Sequence, residues 1–183
     1  VKEISLENLK SHSESLKSNL ELYHEIGEPI VNEYCKDLDD KVNSIKNYLS
    51  QIRQYNLEFD VPSLQKIVID ISSCIYYTNE NYEKISLLED MARVRYKDKY
   101  NESYLSKQGA AKVENRDYTK DQLKAIADQE AIEEELIHFI YTHAASTIKA
   151  KIESAEELLK ACSKSLSAQI ESMKQFGYGQ KVM

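Results

Sequence analysis

Four glycines and two prolines in 183 residues leave this chain almost without the residues that turn a backbone back on itself. A sheet of short strands needs many such turns, so their scarcity points away from β architectures. Leu, Lys, Glu, Ala and Gln, which lose little on entering a helix, fill the space instead. The expected fold class is all-α, an elongated helical bundle. Its 42% hydrophobic content suffices for a packed core, which excludes a disordered chain or a disulfide-stapled miniprotein. No run approaches the roughly 18 apolar residues of a membrane span, and the first residues lack the basic start and apolar centre of a signal peptide. The expectation is a soluble, cytoplasmic protein with no membrane partner. Cys35, Cys74 and Cys162 are odd in number, widely spaced and next to apolar positions, as buried thiols would be.

Apolar spacing predicts the helices. A first runs from about Ile4 to Tyr23, with Leu6, Leu9, Leu16 and Leu20 on one side, and Gly27 and Pro29 mark a turn after it. A second spans about Pro29 to Tyr55, so residues 1–59 read as an acidic N-terminal helical hairpin and 60–183 as a helical core. Asp60 caps a third helix with Pro62 in its first turn. Ile67, Val68, Ile69 and Ile71 are β-branched and would suit a strand over Lys66–Tyr77, but the flanking helical spacing favours helix. Gly109 and its small or polar neighbours place the longest loop at Ser106–Asp117.

Thr119 and Gln122 have the spacing of a capping box, and Tyr118 with Leu123 that of an apolar staple, so the last helix starts at Thr119. Its stripe from Ile137 to Met173 covers 36 residues in ten steps, the 3.6 period of a straight helix. Unbroken to Phe176 it would be roughly 85 Å long, too long for a compact domain of this size, so it must bend, break or reach another subunit. The small residues Ala144, Ala145, Ser146 and Ala150 permit close helix approach. The expectation is a homo-oligomer assembled through Ile140, Ala144, Ile148, Ile152, Leu159 and Leu166. Gly177 and Gly179 end the helix before a short tail.

Charge is unevenly distributed. The formal net charge is −8 over residues 1–92, +4 over 93–124 and −3 over 125–183. The segment 91–124 interleaves its cations with aromatic rings: Arg93, Arg95, Lys97 and Lys99 run up to Tyr100, and Tyr96, Tyr100 and Tyr104 repeat every four residues on one helix face. Cations that neutralise phosphates beside rings that stack on bases suit single-stranded nucleic acid. A solvated helix whose tyrosines pack on a neighbour has the same pattern. The overall charge of −7 opposes polyanion binding unless the basic segment is set apart, as repetition around an oligomer would do.

Signatures of catalysis are absent: the chain contains no GxxxxGK, GxGxxG, GxSxG or HExxH. The expectation is a non-enzymatic protein without cofactor or metal. Glu21 and His24, and Glu135 and His138, have the Glu-x-x-His spacing of di-iron helical bundles, yet lie on the first and last helices rather than on the usual alternate ones. In so Glu-rich a chain such pairs arise by coincidence, and His12 and His143 add no ligand spacing.

From about Pro62 to Phe176 the order of features resembles the UvsY-type recombination mediators of bacteriophages. The residues that carry the resemblance are Arg93-Val94-Arg95, then Tyr96 and Tyr100, Gly109, the cluster Arg116-Asp117-Tyr118-Thr119-Lys120, and Leu123, Ala127 and Asp128 beyond it. The resemblance implies a mostly helical fold, rings formed through C-terminal helices, and a DNA-recombination and repair role in the host cytoplasm. Such a mediator binds single-stranded DNA, loosens the single-strand-binding protein that coats it and loads the recombinase. The family's DNA contacts transfer to Arg93 and Arg95; charge and position add Lys97, Lys99, Tyr96, Tyr100 and Arg116. Residues Val1 to Phe59 are additional to the family pattern. The competing class is a helical interaction or structural protein, such as a phage scaffold, a virion component or a host-defence inhibitor, that engages a protein through its acidic faces.

Overall fold

The computed structural model describes residues 17–55, 60–113 and 117–179. Among them the chain is all-α, with no strand, and no helix is long and apolar enough to cross a membrane. Residues 17–22 are helical and lead through a π-helical turn, Tyr23–Gly27, into α1 (Glu28–Tyr55). There follow α2 (Val61–Val113), α3 (Lys120–Glu130) and α4 (Ile132–Gly179).

The turn expected at Gly27 and Pro29 does not form, and residues 17–55 run on as helix through it; Ile4 to Leu16 of the expected first helix lie outside the described residues. Leu22 and Glu28, which bound the π turn, both have right-handed helical backbone, and the Glu28 amide donates to the Tyr23 carbonyl five residues back. A proline inside a regular helix loses one hydrogen bond and collides with the carbonyl four residues earlier. The widened turn covers Glu25, the residue that would suffer this collision from Pro29, and so lets the helix run through the proline. Gly27 is buried, and the Tyr23 ring lies where a Cβ at position 27 would stand. The glycine therefore serves a close approach rather than a turn.

Two compact units result, and neither is bounded at residue 59. One comprises residues 1–31 and 83–146, the other 32–82 and 147–183. In the second unit Cys35, Leu38, Ile45 and Ile52 of α1 are buried at three- and seven-residue steps, the mark of one helix face. Leu64, Ile71 and Ile75 of α2 and Ile148, Ile152, Ala155 and Cys162 of α4 are also buried in this unit. The β-branched run thus folds as helix, because Ile71 and Ile75 fall on the buried face while Ile69 is left exposed. Lys41 bridges to Asp70 at 2.7 Å and Lys151 to Asp39 at 2.5 Å, both half-exposed, and the Asn81 amide donates to the Tyr34 carbonyl at 3.2 Å. Burial pushes the Cys35 thiol up to about 11, with Lys151 opposing and Asp39 reinforcing the shift. Cys162 is buried as well, whereas Cys74 is only half-buried.

In the first unit the buried residues are smaller: Val31, Ile85, Ala92, Ser103, Ala111, Leu123, Ala127, Ala131, Ile140, Ala144 and Ala145. His143 packs edge-on against Tyr23 at 5.9 Å and lies 4.2 Å from the Phe139 ring. The loop placed at Ser106–Asp117 is mostly helix, since α2 continues to Val113. Gly109 sits within it in open space and costs about 1 kcal/mol of helix propensity. Buried Ala111 and the Lys107–Glu130 ion pair at 2.8 Å hold that last stretch.

Both predicted caps are present. The Asp60 carboxylate accepts from the Ser63 amide at 2.7 Å, and the Ser63 hydroxyl first, then this amide, hold its carboxyl below the usual range. Thr119 Oγ1 accepts from the Gln122 amide at 3.3 Å while the Gln122 side chain accepts from the Thr119 amide at 2.9 Å. The last helix breaks once, at Ala131, whose amide is shared between the Ala127 and Asp128 carbonyls at 3.0 and 3.3 Å. Its buried positions explain the break: Leu123, Ala127 and Ala131 step by four, and burial resumes at Ile140. At about 100° per residue the centre of the first set lies roughly a quarter turn from that of Ile140, Ala144 and Ala145, and the break at Ala131 takes up this offset.

Gly27→Ala should lower the melting temperature. Overpacking against Tyr23 costs about 1–3 kcal/mol, against a propensity gain of about 1 kcal/mol. The upfield ring-current shifts between Tyr23 and His143 should disappear with it; a higher melting temperature would mean that the ring moves aside freely. Thr119→Ala should destabilise by about 1 kcal/mol and speed amide exchange in the first turn of α3.

Candidate nucleic-acid interface

The basic segment lies wholly on helix. Arg93, Arg95, Tyr96, Lys97, Lys99 and Tyr100 belong to α2, within the first unit, and Arg116 lies outside the described residues. Helical geometry then divides the cations. Arg93 and Arg95 are two residues apart, which is about 200° around an α-helix, and Lys97 and Lys99 repeat the same split one turn on. The helix sends Arg93 and Lys97 to one flank of the buried Ala92 and Arg95 and Lys99 to the other.

The Arg95 flank is an acidic cleft. Arg95 and Lys99 line a hollow of about 380 Å³ with Asp98, Glu102 and Glu134. Two cations against three carboxylates leave it without positive potential, and Lys99 also acts on Glu130. Glu130 accepts from Lys107 and from Ser103, and these bonds hold its carboxyl below the usual range and raise Lys107 above its own.

The Arg93 flank carries the aromatic rings. Tyr100 and Tyr104 are nearly parallel, with centroids 6.5 Å apart and planes 18° apart, and Tyr96 continues the row at 6.4 Å and 51°. The four-residue repeat produces this ladder as expected. Tyr96 is its inner rung: burial first, then the carboxylates of Glu135 and Asp128, push its hydroxyl above the usual range. Tyr100 and Tyr104 are half-buried and follow Arg93 and Lys97 on the same side of the helix, three and seven residues beyond Lys97. Arg93 is half-exposed and holds Asp90 at 2.5 Å; Lys97 is exposed. The surface with cations beside stacked rings is thus Arg93, Lys97, Tyr100 and Tyr104. Sequence reasoning named Tyr104 in the repeat but left it out of the contact set, since spacing alone does not say which rung faces outward.

A second exposed aromatic pair, Tyr76 and Tyr77, lies in the other unit with rings edge-on at 5.6 Å. Its company is acidic: the hydrogen bond to Glu80 and the carboxylate's charge raise the Tyr76 hydroxyl.

The expected oligomerisation surface needs correction. Ile140, Ala144, Ile148 and Ile152 are at most 5% exposed within the single chain, and Leu159 and Leu166 are half-buried. Four of the six therefore already belong to the chain's own core, and a stripe buried there offers no open face to another copy. Of the Glu-x-x-His pairs, His24 bonds Glu28 at 2.7 Å, four residues on, rather than Glu21. Among the described residues no three ligand-type side chains meet as a metal site. No family model, curated protein or solved structure matches this chain.

The Glu130 bonds give a pH dependence. A carboxyl held low in the folded state stabilises it fully above its ordinary, unfolded value and loses that contribution as pH falls through the folded value. Lys107, held high, contributes below its ordinary, unfolded value and loses that contribution as pH rises through the folded value. Amide protection at the end of α2 should therefore be flat between these limits and drop below about pH 4.5. Glu130→Gln should remove the acid-side drop; an unchanged profile would mean the pair contributes nothing there.

Proposed function

We propose that this protein binds single-stranded DNA on the flank of α2 formed by Arg93, Lys97, Tyr100 and Tyr104, as a non-enzymatic recombination mediator that assists loading of a phage recombinase. The observation that carries the reading is the near-parallel Tyr100–Tyr104 pair beside two cations on one helix face. Aromatic rings accept any base through its π-face, and cations alongside neutralise the phosphates of a strand laid along the helix. Such contacts are indifferent to sequence, which suits a protein that must act wherever single strands arise. The assignment of recombinase and single-strand-binding protein as partners, and of the host cytoplasm as the place, rests on the family resemblance. The resemblance also points to Arg95, but its acidic surroundings make Arg93 and Lys97 the better phosphate ligands.

Fluorescence anisotropy of labelled oligo-dT across a salt series tests this. Each phosphate contact contributes about 0.7 to the slope of log affinity on log salt for single strands. Arg93→Ala with Lys97→Ala should lower the slope by about 1.4 per bound subunit, and Tyr100→Ala should weaken binding by about 1–3 kcal/mol. Arg95→Ala with Lys99→Ala should change the slope less. If no variant alters binding, or the wild-type protein binds no oligo-dT at low salt, the reading fails. The acidic cleft of Arg95, Asp98, Glu102 and Glu134 would then be the place to look for a protein partner, as the helical interaction reading requires.

A further inference from the structure

Tyr100 and Tyr104 stack with their planes 18° apart, yet their centroids are 6.5 Å from one another. Stacked nucleotides rise by about 3.4 Å per layer. The two tyrosines stand at close to twice that spacing, so the thickness of one further ring separates them. The helix sets this interval, because four residues advance the chain by about 6 Å and return it to nearly the same side. The residues between them do not enter it: Asn101, Glu102 and Ser103 project about 80–180° away around the helix. Ser103 is moreover buried, with its hydroxyl bonded to Glu130. Tyr96 does not repeat the arrangement, since its ring is tilted by 51° to Tyr100 and is the inner rung.

Resting on the nucleic-acid reading above, we infer that Tyr100 and Tyr104 form a slot that takes one unpaired base between them, and that weakly self-stacked, pyrimidine-rich single strands are therefore its preferred ligand. A base held on both faces must first leave its own neighbours. In a duplex it would also have to leave its pairing partner, which sets double strands aside. An adenine-rich strand gives up more stacking than a thymine-rich one to deliver a base. Neither ring reads base identity, so the preference arises in the strand rather than in a hydrogen-bond code. Charge places the phosphate contacts on one side of the slot. Lys97 is exposed three residues before Tyr100, with Arg93 one turn earlier, whereas Lys107, three residues beyond Tyr104, is already paired with Glu130 at 2.8 Å. Bases laid on the outer faces of the two rings would be held by each ring separately; a base in the slot is held by both at once.

A double-mutant cycle read by anisotropy of labelled oligo-dT at one low salt concentration separates these arrangements. Tyr100→Leu and Tyr104→Leu keep apolar bulk and helix propensity but remove a π-face. Each should weaken binding about tenfold. The double variant should stay within about threefold of either single one, because the second ring has no sandwich left to complete. Tyr100→Phe and Tyr104→Phe keep the rings and should bind within about twofold of wild type. The wild-type protein should also hold oligo-dT at least about threefold more tightly than oligo-dA of equal length, a comparison that stands even if a leucine variant loses helicity by circular dichroism. Single variants that bind as wild type, losses that multiply to about a hundredfold in the double variant, or equal affinity for oligo-dT and oligo-dA would each overturn the slot while strand binding itself survives. A wild type that binds no oligo-dT would overturn the slot and the nucleic-acid reading together.

Discussion

The 53-residue helix α2 is the constraint on which the rest of this structure depends. Its buried positions, Leu64, Ile71, Ile75, Thr78, Ile85, Ala92, Ser103 and Ala111, follow one another at steps of three, four, seven, eight or eleven residues. Within each compact unit these separations return to one side of a 3.6-residue helix: Leu64, Ile71, Ile75 and Thr78 in one, and Ile85, Ala92, Ser103 and Ala111 in the other. Local preferences that oppose it, the β-branched run after Lys66 and the exposed Gly109, are each worth about 1 kcal/mol or less. Burial of several large side chains, at about 1.5–3 kcal/mol each, outweighs them. Elsewhere the same contest has the same outcome, since the chain passes Pro29 by widening one turn rather than ending the helix.

Holding the basic segment on that rigid element decides its chemistry. Cations at alternate positions form a single strip on a strand and two opposite strips on a helix. One strip, Arg95 and Lys99, falls beside Asp98, Glu102 and Glu134, which offset it; the other, Arg93 and Lys97, falls beside the tyrosine ladder. A protein of net charge −7 can thus keep a local surface suited to phosphate without a basic composition.

Helix content, the caps at Asp60 and Thr119 and the tyrosine ladder were legible in the sequence because each depends on residues within about one turn of one another, and the apolar stripes foretold burial for Cys35 and Cys162 but not the half-exposure of Cys74. Four features were not legible. The passage through Gly27 and Pro29 depends on the Tyr23 ring lying over the glycine and on a π turn, neither of which spacing reveals. The break at Ala131 involves neither glycine nor proline and shows only as a phase slip between Leu123–Ala131 and the stripe from Ile140. The extent of burial of Ile140, Ala144, Ile148 and Ile152 was misjudged as an interface because apolar periodicity marks a face that is covered without saying by what. Inward and outward cations likewise became distinguishable only once Ala92 fixed the helix rotation.

Photo-cross-linking of an oligonucleotide carrying 5-iodouracil, with the attachment site mapped by mass spectrometry, tests the central claim most directly, because the reaction favours a ring stacked on the base. The account predicts cross-links at Tyr100 and Tyr104, lost as salt is raised. Attachment at Tyr76 or Tyr77, or at no tyrosine of α2, would contradict it.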